Sequence, residues 1–160
     1  MNKPESLRQQ LLSQVPGLAT HPDRLMVFID NGTIRSTAAP GLSFEYAYTL
    51  NIILTDYAGH PDAVAIPLLA WLAQHQRELL ENLDQVASAI TFEADLLDNS
   101  KVDLALKLPL TERVIVKAQA DGSLEVTHPP EPEVEPAYMP RQGAVLRSST
   151  GEVLGHWNAS

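Results

Sequence analysis

The chain has 160 residues, 44% of them apolar, which predicts a single domain with room for a core of ordinary size. Eleven Lys and Arg stand against twenty Asp and Glu for a formal net charge of −9; the scattered cations exclude the basic stripe that a nucleic-acid binder needs. The lack of cysteine excludes a disulfide framework and a Cys-based zinc site.

In chain order, Lys3 to Val15 reads as a first helix, with Leu7, Leu11, Leu12 and Val15 on one face and Pro4 near the tolerated first turn. Pro16-Gly17 ends it. Leu25 to Asp30 is a short run apolar on both faces, expected as a strand covered on both sides. Asn31-Gly32 predicts a hairpin, with Thr33 to Thr37 as the return strand. Ala39-Pro40-Gly41 then turns into the stretch around which the fold is organised. There, Phe44, Tyr46, Tyr48, Leu50, Ile52 and Leu54 recur at every second residue, a long half-buried strand. Gly59 and Pro61 break that pattern. From Asp62 the period becomes helical through Val64, Leu68, Leu69, Trp71 and Leu72. Pro67 inside this run predicts either a late helix start near Ile66 or a kink, because an interior proline removes a hydrogen bond.

Glu78 to Ala87 is polar, helical or irregular. Ile90, Phe92, Ala94 and Leu96 alternate with polar residues, as do Val102 to Leu108, giving two more strands, the second ending near Pro109. Val114–Lys117 and Leu124–Val126 flank Asp121-Gly122 as a hairpin. From His128 the alternation of Pro and Glu predicts an extended, solvated linker over residues 128–143. Ala144–Leu146 and Glu152–Trp157 flank Thr150-Gly151 as a closing hairpin, with Trp157 suited to docking on a neighbour. The expected organisation is an α+β domain over 1–127, a linker over 128–143 and a hairpin or arm over 144–160. Its single mixed, mainly antiparallel sheet is flanked by two or three helices.

Residues able to do chemistry do not converge. His-Pro-Asp occurs twice, at 21–23 and 60–62. The tripeptide also marks J-domains, but there it joins two antiparallel helices after a basic one; here helix one carries only Lys3 and Arg8. Turn and capping chemistry is the reading, with Asp62 or His60 capping the central helix. His21, His60, His75, His128 and His156 show no metal-ligand spacing, so neither metal nor cofactor is expected. Glu93 and Asp95 share a strand face as an acid–base pair would, but a wet sheet face explains them equally. There is no phosphate-cradling Gly-rich loop and no Gly-x-Ser-x-Gly elbow, and Ser36, Ser43, Ser88 and Ser123 have no base nearby in sequence. Trp71 and the tyrosines at 46, 48 and 57 read as core. No run reaches the roughly 18 apolar residues of a membrane span. The first residues lack the apolar stretch of a signal peptide, so the cytoplasm is the expected compartment.

Long consecutive runs carry a family resemblance. Met1 to Arg8, Ser43–Tyr46, Tyr48–Asn51, Thr55-Asp56, Gly59–Val64 and Pro67–Leu72 all take part. So do Phe92–Leu96, Leu108–Lys117, Leu124–Val126 and Glu131-Pro132. Over about residues 1–132 the chain resembles the tail completion protein R family (GpR) of P2-type contractile-tailed temperate phages. The resemblance implies a structural protein, not an enzyme, that caps the head-proximal end of the tail tube and lets a filled head join. It implies a hexameric ring similar to tail terminators, contact with tube and possible sheath subunits, with a second completion protein (S) and with neck proteins, DNA only as passing cargo and no membrane partner. Assembly would occur in the host cytoplasm and the product would reside in the virion tail. Asp56, His60 and Arg113, polar residues in or beside the matching runs, and Trp157 are the candidate interface residues. The competing readings are a head-side neck or connector protein, a small cytoplasmic ligand-binding α+β domain, and an assembly adaptor that leaves before the virion is complete.

Overall fold

A computed structural model describes residues 1–37, 40–132 and 144–157, with Ala144 and Trp157 described through their backbone alone. The elements run α1 (Lys3–Gln14), a 3-10 turn (Pro22–Arg24), β1 (Leu25–Ser36), β2 (Phe44–Tyr57), α2 (Asp62–His75), α3 (Arg77–Glu81), α4 (Leu83–Ala89), β3 (Thr91–Leu96), β4 (Val102–Ala118), β5 (Leu124–Thr127), β6 (Ala144–Arg147) and β7 (Val153–Trp157). The main sheet has five strands in the order β1-β2-β4-β3, with β5 paired to the far end of β4. Every pairing is antiparallel, so the expected α+β class holds and the sheet contains no parallel pair among the described residues. Four α-helices are present where two or three were expected, because the polar stretch after α2 forms two short ones.

Alternation decides which sheet face is buried. Tyr48, Leu50, Ile52 and Leu54 of β2 and Leu104, Leu106, Leu108 and Leu110 of β4 point to one side. They form the core with Leu7 and Leu11 of α1 and Val64, Leu68, Trp71 and Leu72 of α2. The odd-numbered residues of the same strands face the other way, where no described element covers them. Among the described residues the domain is therefore two layers, helices on one sheet face and no second layer on the other, where Asn51 alone of the odd-numbered β2 positions before Tyr57 is buried, among its strand neighbours.

The structure corrects several sequence expectations. Asn31-Gly32 is not a hairpin turn: β1 is a continuous strand of 12 residues, and the pair forms a bulge where its register with β2 shifts between Asp30 and Thr33. Asn31 takes φ +50°, a conformation that asparagine tolerates. Both halves of β1 find their partner in the same long strand, so the extra residue is absorbed without reversing the chain. Nor is β1 covered on both sides: Leu25 is buried, but Met26 and Phe28 point to the open face and are exposed. The central helix starts at Asp62 and continues through Pro67, which is buried within it, so of the two expected outcomes, a late start near Ile66 or a kink, the late start does not occur. β4 does not end near Pro109 but runs for 17 residues. β3 has already finished at the Thr91–Lys107 pair, so Pro109 stands on a free edge where a missing N–H breaks no ladder.

The 128–143 linker falls partly outside the described residues, which cover only 128–132 of it. That beginning is not wholly solvated: Glu131 pairs with Lys3 of α1 at 2.9 Å. The closing hairpin forms as expected, β6 pairing with β7. It docks on its own chain. Gly155 is buried against Pro16 and Ala63: an added Cβ would touch both at ordinary contact distance, 3.4 Å from Pro16 Cγ and 3.6 Å from Ala63 Cβ.

Candidate functional site

The chain's main buried polar cluster lies where α1 meets the sheet. Glu112 occupies an inward position on β4, continuing the phase of Leu108 and Leu110, and is only 5% exposed. A buried carboxylate must be satisfied. Here the Tyr48 hydroxyl donates to Glu112 Oε1 at 2.5 Å, and the Asn2 and Lys3 backbone N–H groups donate to its two oxygens at 2.7 and 3.3 Å. These amides lie at the N-terminus of α1, whose dipole favours a negative charge. Glu112 thus caps a helix from a distant strand. Burial holds the Tyr48 hydroxyl far above its usual range, and the hydrogen bond and charge of Glu112 push in the same direction.

Around this centre, Lys3 Nζ donates to Gln76 Oε1 at 2.8 Å and meets Glu131. The same Gln76 oxygen accepts the Thr111 N–H at 3.2 Å, and Gln76 Nε2 donates to Thr111 Oγ1 at 3.0 Å. The end of α2 therefore seals the β4 edge that β3 leaves uncovered. His75 stacks on Trp71 with ring centres 4.6 Å apart, and Trp71 Nε1 donates to Ser6 Oγ at 3.0 Å. Burial lowers the His75 pKa, Lys3 adds to that, and Glu131 opposes it. A shallow cleft of about 180 Å³, lined by Lys3, His75, Glu112, Arg113, His128 and Glu131, opens beside the cluster. Its charged groups face one another rather than a common point, so it offers no nucleophile aligned with a base. Among the described residues no three His, Cys, Asp or Glu side chains could hold a metal ion, and no helix is long and apolar enough to cross a membrane.

The structure places the four candidate interface residues apart. Asp56, with φ +53°, lies at the end of β2 where the register with β4 shifts, and its N–H donates to Asp103 Oδ1 at 2.8 Å. His60 is exposed, and its Nδ1 accepts the Asp62 N–H at 3.2 Å, serving the first turn of α2 as expected. The Asp62 carboxylate also lies 3.4 Å from that nitrogen, an ion pair only when the imidazole is protonated. Arg113 is exposed at the opposite end of the sheet, across from Glu45. Eleven residue steps along β2 separate Glu45 from Asp56, so Arg113 and the Asp56–His60 end are roughly 35 Å apart. Trp157 pairs through its backbone with Ala144; its side chain lies outside the described atoms. Glu93 and Asp95 are exposed on β3, with no residue arranged to use them as acid and base.

Sequence reading missed Glu112 and the open sheet surfaces. For Glu112 the signal was present: a carboxylate in the inward phase of an otherwise apolar alternation. For the surfaces it was not. Phe92 and Leu96 have the alternation of a half-buried strand, yet they are 70% and 88% exposed, because the helical layer ends before β3. Met26, Phe28, Ile53 and Ala105 form an apolar track across the uncovered face. An uncovered sheet face and two open edges are surfaces for other protein chains rather than for a small molecule.

Comparison with known proteins agrees with that geometry. No solved structure matches the chain. A curated protein of Escherichia phage P2, tail completion protein R, is 40% identical over 161 residues, covering 99% of both chains. The family model described as P2 phage tail completion protein R (GpR) matches residues 1–132, the whole main sheet and all four helices. An acidic two-layer domain with uncovered strands and no reacting centre among its described residues thus belongs to the P2 phage tail completion protein R (GpR) family.

Proposed function

We propose that this chain is a structural tail completion protein. It caps the head-proximal end of a phage or phage-derived tail tube and makes that end competent to receive a filled head. The observation that carries the reading is the 40% identity across 99% of both chains with a protein named for tail completion. The fold supports a role in contact rather than catalysis: among the described residues one sheet face and both outer strands are left uncovered, and the buried Glu112 is occupied in holding α1 to the sheet. The protein acts as a homo-oligomeric ring, six subunits on the analogy with tail terminators. It contacts tube and sheath subunits, the second completion protein and the neck. It assembles in the host cytoplasm and remains at the head-proximal end of the virion tail. DNA passes without being gripped, in keeping with a net charge of −9. The chain divides into a core over 1–127, a connector over 128–143 and a hairpin over 144–160.

Deletion from the phage tests this directly. Filled heads and separate tails should accumulate, visible by electron microscopy, and complementation should restore joining. Tails of abnormal length would assign length control to the protein, and tails of normal length would confine it to completion. Fully infectious virions from the deletion would overturn the reading.

A further inference from the structure

We infer that the protein associates with copies of itself by continuing its sheet, β3 of one copy pairing with β1 of the next. This rests on the ring reading above and names its interface. β1 and β3 are the two outer strands, and neither has a second partner among the described residues. β1 runs parallel to β4, and β3 runs antiparallel to β4. A second copy in the same orientation therefore presents its β1 antiparallel to β3, so the alternation of the sheet continues across the junction.

Phase and charge fit as well. Thr91, Lys107, Asn51 and Phe28 form one row across the open face, and Glu93, Ala105, Ile53 and Met26 form the next. In the level register Thr91 meets Phe28 of the second copy, and Glu93 meets its Met26. Asp95 then meets Arg24, the residue that precedes β1. On the helix-covered side Phe92 and Ala94 meet Val27 and Leu25, extending the core face over the exposed Phe92. The symmetric alternative, β3 against β3, would set Glu93 directly opposite Asp95 twice, and facing like charges destabilise a strand pair. The charges thus favour a head-to-tail contact, the kind that closes into rings.

The absence of cysteine makes thiol cross-linking decisive. The chain carrying Phe28→Cys and Thr91→Cys together, incorporated into tails and treated with a short thiol-to-thiol cross-linker, should give a ladder of species above dimer. Phe28→Cys alone and Ala94→Cys alone should stay monomeric. A dimer from Ala94→Cys alone would reveal β3–β3 pairing, and a dimer from Phe28→Cys alone would reveal β1–β1 pairing; either overturns the inference. Monomer throughout, on tails that contain the chain, overturns this interface and leaves the tail role standing. If even the wild-type chain is missing from tails, the functional reading fails. The ladder is then sought with concentrated free protein, where its absence overturns the inference too. A Phe92→Asp change added to the cysteine pair should abolish the ladder while leaving the circular dichroism of the chain unchanged, since Phe92 packs against little in its own chain.

Discussion

Glu112 is the residue on which the junction of α1 and sheet depends, because three protein donors converge on its buried carboxylate. Removing a buried acceptor strands its donors, so Glu112→Ala is expected to destabilise the fold by about 1–3 kcal/mol. Urea unfolding should show a lower midpoint with an unchanged slope. The two buried phenols set a limit on the alkaline side. Burial raises Tyr57 from 10.0 to about 12 and moves Tyr48 in the same direction. A phenol with its pKa raised in the fold gives stability that is complete below the unfolded value and is lost as pH rises beyond it. Unfolding free energy should therefore fall as pH climbs from 10 towards 12, and Tyr57→Phe should flatten part of that fall. His75 works in the opposite sense. Its pKa is lowered from 6.5, so its contribution is present above that value and is lost as pH drops below it. His75→Gln should weaken the acid-side slope of stability, measured by thermal melts across that range.

Among the elements, β1 shows how one strand can host a sequence break. The bulge at Asn31 requires a left-handed backbone, with φ +50°. Asn31→Gly should be tolerated, whereas Asn31→Ile should cost about 1–2 kcal/mol in the melting transition because a branched side chain resists that conformation. The β6–β7 hairpin meets the core at another glycine. Gly155 lies on Pro16 and Ala63 with room for a methyl group but not for a long side chain. Gly155→Ala should be accommodated, since its Cβ would sit at ordinary van der Waals distance from Pro16 and Ala63. Gly155→Leu should lift the hairpin off, exposing the chain after residue 132 to limited proteolysis while the main sheet stays protected. Periodicity located the strands well, because β2 and β4 alternate without interruption through their buried centres. It could not tell bulge from hairpin at Asn31-Gly32, since both need the same backbone freedom, and only the shared partner β2 separates them.

At the scale of the whole molecule, the C-terminal part connects to the core at more than one point. Glu131 meets Lys3, and Gly155 lies against Pro16 and Ala63. Deleting residues 129–160 is therefore expected to lower the melting temperature by a few degrees while keeping one cooperative transition, read by calorimetry. The same truncation should reduce head joining in the phage. Wild-type joining would mean that the hairpin serves stability alone. The open sheet face and the two free edges are properties of this scale too, since no single strand reveals whether a layer will cover it.

The sequence by itself determined the α+β class, the long organising strand, the apolar helix after it and the family, because each rests on local periodicity or on consecutive runs of residues. Only the tertiary structure decided that Glu112 caps α1, that Phe92 and Leu96 are uncovered, and that Asp56 and Arg113 lie at opposite ends of the sheet. The reason is physical. Alternation specifies that a residue faces one side of a sheet, but whether that side is packed, capped or bare depends on where distant helices stop.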